Sequence, residues 1–245
     1  MLQATLVDPI EAETPDHRSA EPERHDENRP APARATDPLP DLGLPDLAHA
    51  RIALVGNAPE GGDRGTAIDA ADRVVRFNNA AGFGGRTGAR VDLIALVNRG
   101  GQMREWLDDP ALLDRPALRR AGAVLLAFPA VSPDAMGEGD GACWTREATA
   151  RLAPLGVPVR ALSPALHADA HRLLSPPAGR ASNPSTGFLV ALALMRGRAA
   201  GAPPVDVYGF GFSGWPGHPW AAERRWFEGA QAAGHLRLHP PRADA

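Results

Sequence analysis

The stretch Arg51–Asn57 (RIALVGN) decides the fold class, because a short apolar run ends there at a Gly-Asn turn. A run of this length, bounded by a turn, is typical of a strand buried on both faces of a sheet. Further apolar runs follow it, and helix-like stretches lie between them. The runs are Arg73–Arg76, Asp92–Val97, Ala123–Phe128, Val157–Leu162 and Val205–Tyr208, and the helix-like stretches are Gln102–Leu107, Trp144–Ala153, Ala165–Leu174, Ser185–Arg196 and Trp220–Ala233. Strands that alternate with helices predict an α/β domain with a mostly parallel, Rossmann-like sheet and helices on both of its faces.

The first 50 residues differ in composition from the rest of the chain. They contain eight prolines, eleven acidic residues and four arginines, which gives this segment a net charge of −7. They have few aliphatic residues and no hydrophobic period, so they cannot bury enough apolar surface to offset the entropy of ordering. We therefore predict a disordered, acidic, Pro-rich arm over residues 1–50 and a folded domain over residues 51–245. An arm that docks on a partner protein is the alternative.

Composition and charge argue against several classes of protein. The net charge of −3 and the isoelectric point near 6.2 argue against a nucleic-acid binder, which would carry a basic surface. No apolar run approaches the roughly 18 residues that span a bilayer, and the amino end lacks the pattern of a signal peptide. The single cysteine, Cys143, cannot form an internal disulfide, so we expect a reducing, cytoplasmic location.

The chain contains no lysine. A Schiff base on a side chain is therefore impossible, which excludes pyridoxal enzymes and Schiff-base aldolases. The Walker-type phosphate loop and the usual protein kinases both require a lysine, so they are excluded as well.

The turns after the first two strands carry candidate binding residues, because open parallel sheets bind ligands at the carboxyl ends of their strands. Gly56 and Asn57 form a Gly/Asn-rich turn that suits phosphate or nucleotide binding through backbone amides, although a plain connecting loop is the alternative. Asn78 follows the second strand, and its amide can bind a base or a ribose. Arg76 just before it either faces a carboxylate or phosphate or pairs with a nearby aspartate.

Two later turns have the same character. Ser185, Thr186 and Gly187 open an apolar helix-like stretch, where a capping hydroxyl would leave free amides for an anion. Gly209 begins a glycine-dense loop after the strand VDVY, and glycine there permits close approach of a ligand. His218 lies at the end of this loop, and a histidine with a pKa near neutrality suits a general base.

The four turns together resemble a known family. The segment 52–92 (IALVGN…IDAADRVVRFNNA…TG…D) resembles the large sialyl motif of the family 29 glycosyltransferases, the sialyltransferases. Asn183–Met195 with Val205–Phe210 resembles their small sialyl motif, and His218–Trp220 resembles their third motif. The motifs follow the order of the family, and the likeness covers residues 51–239. Bacterial proteins labelled urease operon accessory proteins are similar as well.

The resemblance implies a variant of the A-type glycosyltransferase fold and an inverting, metal-independent transfer of sialic acid from CMP-sialic acid to a glycan hydroxyl. It implies no metal and no cofactor besides this CMP-sugar donor. By the same resemblance, Asn57 and Asn78 hold the donor, and the residues 185–187 contact its CMP moiety. A histidine removes the proton of the acceptor hydroxyl, because a sugar hydroxyl is a poor nucleophile until its proton leaves.

The identity of that histidine is open in the sequence. The family's fourth motif is a histidine followed five residues later by a glutamate, and His218 with Glu223 has this spacing but lies where the third motif belongs. His235 lies where the fourth motif belongs but lacks the glutamate, and His239 is a further alternative. We predict His218 as the base and expect Glu223 to accept a hydrogen bond from its ring. A catalytically inactive nucleotide-binding accessory protein with the same fold is the alternative function.

His167 and His171 lie one helical turn apart, a spacing that would let both bind one metal ion. No obvious third ligand follows, so we predict a solvated helix face and no metal site. Cys143 has no histidine beside it in the sequence, and we predict a packing role for its side chain.

Overall fold

The structure is a computed structural model that describes Leu42 and residues 46–59, 62–131, 141–175 and 183–241. The strands are β1 (Ile52–Val55), β2 (Arg73–Phe77), β3 (Leu93–Leu96), β4 (Ala123–Leu126), β5 (Val159–Ala161), β6 (Val205–Tyr208) and β7 (Leu236–His239). The helices are α1 (Gly65–Asp69), α2 (Gly100–Asp108), α3 (Pro116–Arg120), α4 (Thr145–Leu152), α5 (Pro164–Leu174), α6 (Thr186–Gly197) and α7 (Trp220–Ala232). All of them belong to one compact unit, Asp37–Ala245.

These strands form one sheet in the order β5-β4-β3-β2-β1-β6-β7, and every neighbouring pair is parallel. The predicted α/β, Rossmann-like fold class is confirmed. The order runs outward from β1 in two directions, through β2 to β5 on one side and through β6 to β7 on the other. The carboxyl ends of β1 and β6 therefore border a topological switch point, which is where open parallel sheets bind their ligands.

Helices cover both faces of the sheet, and the alternation of side chains along β1 defines the two faces. Ile52 and Leu54 pack in a core cluster with residues of α5, α6 and α7. Ala53 and Val55 point to the opposite face, where Ile68 of α1 covers them. Helices α2, α3 and α4 cover β3 and β4 on that second face. All four residues of β1 are buried, as its continuous apolar sequence predicted.

The folded domain begins earlier than the sequence predicted. Leu42 and Leu47, which we assigned to the arm, are only 1% and 4% exposed and belong to the core cluster. Arg198 donates from Nη1 to the carbonyl oxygens of Leu47 (2.8 Å) and Ala50 (2.6 Å). The predicted boundary at residue 50 is therefore too late, because leucines before it bury their side chains in the domain. Residues 1–41 and 43–45 of the predicted arm lie outside the described residues.

Helices α1 and α3 were not predicted, because five residues are too few to show a helical period in the sequence. The longer helices lie within two residues of the predicted stretches at each end. Within the described ranges, no helix combines the length and the apolar character that crossing a bilayer requires.

Candidate functional site

A cavity of about 370 Å³ lies at the carboxyl ends of β1, β2 and β6. Its wall consists of the turns after these strands, the start of α6 and the first turn of α7. It brings together residues that the sequence analysis selected from four separate turns. These residues are Gly56, Asn57, Asn78, Ser185, Thr186, Gly187, Gly209, His218 and Glu223. Of the predicted site residues, Arg76 and His235 lie elsewhere.

The floor of the cavity is formed where the turns after β1 and β6 cross. The Gly56 N–H donates to the carbonyl of Tyr208 (2.8 Å), and the Ala58 N–H donates to that of Gly209 (3.0 Å). A Cβ atom on Gly56 would lie 2.3 Å from the carbonyl oxygen of Gly209, which itself has a φ of 64°. Glycine is required at both positions because the two backbones touch and one of them is left-handed.

The two asparagines hold neighbouring strand ends together. Asn57 donates from Nδ2 to the Phe77 carbonyl (3.1 Å) and accepts from the Ala81 N–H through Oδ1 (2.9 Å). Asn78 has a φ of 48° and accepts from the Val97 N–H (2.9 Å). The Nδ2 group of Asn78 has no acceptor among the described residues, so it is a donor available to a ligand in the cavity.

The start of α6 presents free backbone donors to the cavity. Ser185 is the N-cap, and its Oγ accepts from the Phe188 N–H (3.1 Å). The N–H groups of Thr186 and Gly187 are in the first turn, where an α-helix has no internal acceptor for them. Because the helix dipole also places partial positive charge at this end, the arrangement favours an anion such as a phosphate.

Glu223 holds this capping residue in place. Its Oε1 accepts from the Ser185 N–H (2.8 Å) and its Oε2 accepts from the Ser185 hydroxyl (2.6 Å). The side chain is 1% exposed, and burial raises the pKa of Glu223 while the hydrogen bonds from Ser185 and the nearby His218 oppose that rise. The expected hydrogen bond from His218 to Glu223 is absent, because the Nδ1 atom of His218 bonds to the Asn183 carbonyl oxygen instead.

A backbone carbonyl orients His218 instead of the predicted carboxylate. The ring Nδ1 lies 2.7 Å from the carbonyl oxygen of Asn183. A carbonyl oxygen only accepts, so Nδ1 carries the proton and Nε2 of the neutral ring keeps a free lone pair. The ring lies between Trp215 and Trp220, with both centroid distances at 4.9 Å. This geometry suits a base that accepts a proton at Nε2.

His218 also borders a second, more open cleft of about 750 Å³. Trp220 lines both the cavity and the cleft, whereas Leu173 and Arg225 line the cleft alone. The imidazole therefore lies between two spaces, one lined by the turns after β1, β2 and β6 and one more open to solvent. A base in this position could contact groups bound on both sides.

His235 lies at the opposite edge of the sheet from the cavity, so its prediction as a catalytic residue is wrong. It is exposed, and its backbone carbonyl accepts from the Val205 N–H at the start of β6 (3.1 Å). Because β7 is parallel to β6, a residue before it lies at the amino edge of the sheet. His239 lies at the other end of β7, where Nε2 is 2.7 Å from Oδ1 of Asp206.

Arg76 is a buried structural residue, and the prediction of an anion contact is wrong. The side chain is fully buried, and its guanidinium donates to the carbonyls of Arg90 and Gly88 and to the hydroxyl and carbonyl of Thr87. Burial lowers its pKa to about 10. Arg76 shares a face of β2 with Val74, so it points towards α1 and the loop 82–88 and away from the strand end.

A sequence comparison assigns the family. The chain is 32% identical over 205 residues to the urease operon 23 kDa accessory protein of Rhizobium meliloti (strain 1021), a match that covers 77% of this chain and 93% of that protein. The chain belongs to the family of that accessory protein. No protein-family model matches the sequence.

Two solved structures are similar to this chain over most of its length. The crystal structure of a mammalian sialyltransferase has a TM-score of 0.47 and 18% identity, covering 79% of this chain and 70% of that one. A variant of the sialyltransferase CST-II in complex with CMP has a TM-score of 0.49 and 9% identity, covering 78% of this chain and 81% of that one. At these scores the likenesses carry no argument about activity or ligands.

Two contributors to the cavity were not predicted from the sequence. Phe210 lines the cavity beside Gly187, where a Cβ atom would lie 2.9 Å from the Phe210 ring. Phe210 was visible in the glycine-dense loop, but a lone apolar residue in a loop is a weak signal. The carbonyl of Asn183 orients His218, and a backbone contact of this kind leaves no signal in the sequence.

The pair His167 and His171 differs from the predicted solvated helix face. Both side chains are half-buried, and their ring centroids are 4.5 Å apart. Within the described part of the chain, no third His, Cys, Asp or Glu completes a metal site with them. Cys143 is 5% exposed, and its Sγ is 3.1 Å from Oγ1 of Thr145, which fits the predicted packing role.

Proposed function

We propose that this chain is a sialyltransferase-like glycosyltransferase, which transfers a sialic acid-type sugar from a CMP-sugar to a hydroxyl of a glycan with inversion and without a metal. The observation that carries the proposal is the convergence of four turns, distant in sequence and each matched to a sialyl motif, on one cavity. The parallel sheet puts these turns on one edge, and β2, β1 and β6 are neighbours in it, so residues from all four turns can contact one ligand.

The start of α6 is the proposed site of the donor phosphate. The N–H groups of Thr186 and Gly187 supply donors, and the helix dipole stabilises the negative charge that grows on the phosphate as the sugar leaves. Asn78 contributes its Nδ2 donor, and Phe210 offers an aromatic surface to the base or the ribose. These contacts use backbone amides, a neutral side chain and a ring, so they suit a mononucleotide donor.

His218 is the proposed base. Its Nε2 accepts the proton of the acceptor hydroxyl as the new bond from that oxygen to the sugar forms and the bond from the sugar to the phosphate breaks. The Asn183 carbonyl, which accepts from Nδ1, stabilises the imidazolium that results. The cleft on the far side of His218, with Trp220 as a wall, provides space for the acceptor glycan.

The alternative is a nucleotide-binding accessory protein that has this fold without the chemistry. Its support is the family assignment, because the relative that defines the family carries the name of an accessory protein. The absence of a hydrogen bond between His218 and Glu223 is a second argument. A carboxylate partner would have raised the basicity of the imidazole ring.

Nucleotide binding to the full chain separates these functions from unrelated ones. We expect CMP and CDP to raise the melting temperature more than UDP or NAD at equal concentration. Stabilisation by NAD alone would contradict both the transferase and the cytidine-binding accessory protein.

A pair of histidine variants tests the chemistry. We expect His218→Gln to lower turnover of CMP-sialic acid by roughly 10²- to 10⁴-fold, the usual contribution of a general base, and to leave CMP affinity nearly unchanged. His235→Gln is the matched control, because His235 lies at the opposite edge of the sheet, and it should retain wild-type turnover. Tight CMP binding without turnover in the wild-type protein would favour the accessory protein, and full turnover in His218→Gln would remove His218 from the mechanism.

A further inference from the structure

A second cluster of side chains lies at the carboxyl ends of β3 and β4, outside the cavity described above. Arg99 follows β3, and its guanidinium lies over the ring of Phe128, 5.3 Å from the centroid. Phe128 follows β4 and packs edge-to-face on His167, with centroids 5.4 Å apart. His171 is one turn further along α5, 4.5 Å from His167. The cluster thus comes from three elements that the fold brings to one edge of the sheet.

Two nitrogen atoms in this cluster are buried without a hydrogen-bond partner among the described residues. They are Nε of Arg99 and Nε2 of His167. Most buried polar atoms in folded proteins have a hydrogen-bond partner, because an unpaired one costs about 1–3 kcal/mol. Two unpaired nitrogen atoms in the same cluster therefore call for a partner that the described part of the chain does not supply.

Arg99 disfavours the charged form of both histidines. Burial, together with the nearby His171 and Arg99, lowers the pKa of His167 to about 4. Burial lowers the pKa of His171 as well, again with Arg99 acting in the same direction. Asp169 is on the same helix but is ion-paired with Arg172 and Arg196. The Cys143 thiol also lies near Arg99, which favours its thiolate.

We propose that Arg99, His167 and His171 form a binding site for a compact oxyanion, either a carboxylate or a phosphate group. Such a group accepts hydrogen bonds from Nε of Arg99 and from Nε2 of His167 where that nitrogen carries a proton, and its negative charge favours the protonated form of both imidazoles. A metal ion is disfavoured here because Arg99 repels cations from the same space. Binding draws protons onto the two imidazoles, so affinity for the oxyanion rises as the pH falls from 7 towards 5.

Two sources could supply the oxyanion. One is the acid group of a sugar substrate, and this assignment rests on the proposed function, because the cluster and the cavity lie at the same edge of the sheet. The other is a free inorganic anion, which needs no transferase activity. The shared chemistry is a planar or tetrahedral group of oxygens with negative charge, which an Arg-His pair binds in either case.

The histidine resonances of the full chain, labelled with ¹⁵N, report the site directly. We would titrate pH with inorganic phosphate, acetate, N-acetylneuraminic acid or its methyl ester present, and assign the peaks with His167→Gln and His171→Gln. We expect a bound oxyanion to raise the pKa of both histidines. A response to the free sugar acid but not to its ester identifies a substrate acid group, and an equal response to phosphate identifies an inorganic anion.

Arg99→Gln tests the guanidinium, with Arg104→Gln on the exposed side of α2 as the matched control. We expect Arg99→Gln to weaken binding by roughly ten-fold or more, the effect of losing a charge-assisted hydrogen bond, and Arg104→Gln to leave it unchanged. Arg99→Lys preserves the charge if the glutamine variant does not fold, and it should retain part of the affinity. The proposal is overturned if no oxyanion moves either pKa, or if Zn²⁺ binds the pair more tightly than any oxyanion does. CMP binding, measured separately, tests the proposed function whatever the outcome here.

Discussion

Gly56 is the residue at which the cavity is least tolerant of change. The carbonyl oxygen of Gly209 lies 2.3 Å from the place of a Cβ atom, and a backbone atom cannot move away as a flexible side chain can. We expect Gly56→Ala to lower the free energy of unfolding by about 1–3 kcal/mol and to weaken CMP binding, because the two turns must separate. Chemical denaturation and calorimetric titration with CMP measure the two effects.

Gly229→Ala is the control for this change. Gly229 lies within α7, and nothing is within 4 Å of its Cβ position. Alanine there should raise the free energy of unfolding by about 0.5–1 kcal/mol, because it restricts the unfolded chain in a helical position. If Gly56→Ala behaves like Gly229→Ala, the close crossing of the two turns is not present in solution.

His167 gives the stability of the protein a pH dependence with a defined sign. Its folded-state pKa of about 4 is below the ordinary value of 6.5, so the unfolded chain binds more protons between these two values. The free energy of unfolding therefore falls as the pH drops from about 6.5 to about 4. We expect His167→Gln to lose less stability than the wild type between pH 7 and pH 5, measured by urea denaturation.

The exposed His235 provides the comparison for this measurement. His235→Gln should keep the wild-type pH dependence, because it replaces an exposed side chain and leaves the buried His167 in place. Equal slopes for His167→Gln and the wild type would contradict the burial of His167.

At the scale of elements, α6 differs from α5 in what its N-terminus faces. Both helices begin at a serine whose Oγ accepts from a backbone N–H, Ser185 from Phe188 and Ser163 from Leu166. Only the cap of α6 borders the cavity and is tied to Glu223. Because both helices have the same type of cap, a change at each serine separates the effect of the cap on stability from its effect on ligand binding.

We expect Ser163→Ala and Ser185→Ala each to lower the free energy of unfolding by about 1 kcal/mol, the usual effect of losing an N-cap. Ser185→Ala should lower the free energy of unfolding by more than Ser163→Ala does, because Glu223 also loses a buried hydrogen-bond donor. It should weaken CMP binding as well. Ser163→Ala should leave CMP affinity unchanged. Equal CMP affinity in both variants would argue against a phosphate at the start of α6.

At the scale of the whole molecule, residues before the first strand complete the core. Leu42 and Leu47 are buried, and the carbonyls of Leu47 and Ala50 accept from Arg198, which lies just after α6. The domain therefore depends on a segment whose composition resembles a disordered chain. Two buried leucines are enough to anchor this segment to the domain, because each buried side chain contributes about 1.5–3 kcal/mol to the stability of the folded state.

Two truncations test this dependence. We expect a chain that starts at Arg51 to be at least about 2 kcal/mol less stable than one that starts at Asp37, since it lacks both buried leucines. Thermal denaturation and urea denaturation of the two chains provide the measurement. Equal stability would mean that the packing of Leu42 and Leu47 contributes nothing in solution, and Leu47→Ala in the full chain would check that result.

Strands β1 to β6, the longer helices and the turns of the site were predictable from local sequence. Apolar runs of four to six residues locate strands because a central parallel strand is buried on both faces, as β1 and β4 are. Glycines and asparagines at the strand ends locate the ligand edge, because parallel strands place all their carboxyl ends on one side. These signals each depend on a few neighbouring residues, so a single sequence contains them.

The sequence by itself therefore determined the α/β class and selected nine residues that line one cavity, His218 and Glu223 among them. Only the tertiary structure decided which groups bond to one another. Glu223 accepts hydrogen bonds from Ser185, which is 38 residues away in the chain, and His218 bonds to the Asn183 carbonyl oxygen. Arg76 donates hydrogen bonds to the backbone before β3, and His235 lies at the amino edge of the sheet. The physical reason is that hydrogen-bond partners are set by distances between segments far apart in the chain, which local periodicity does not encode.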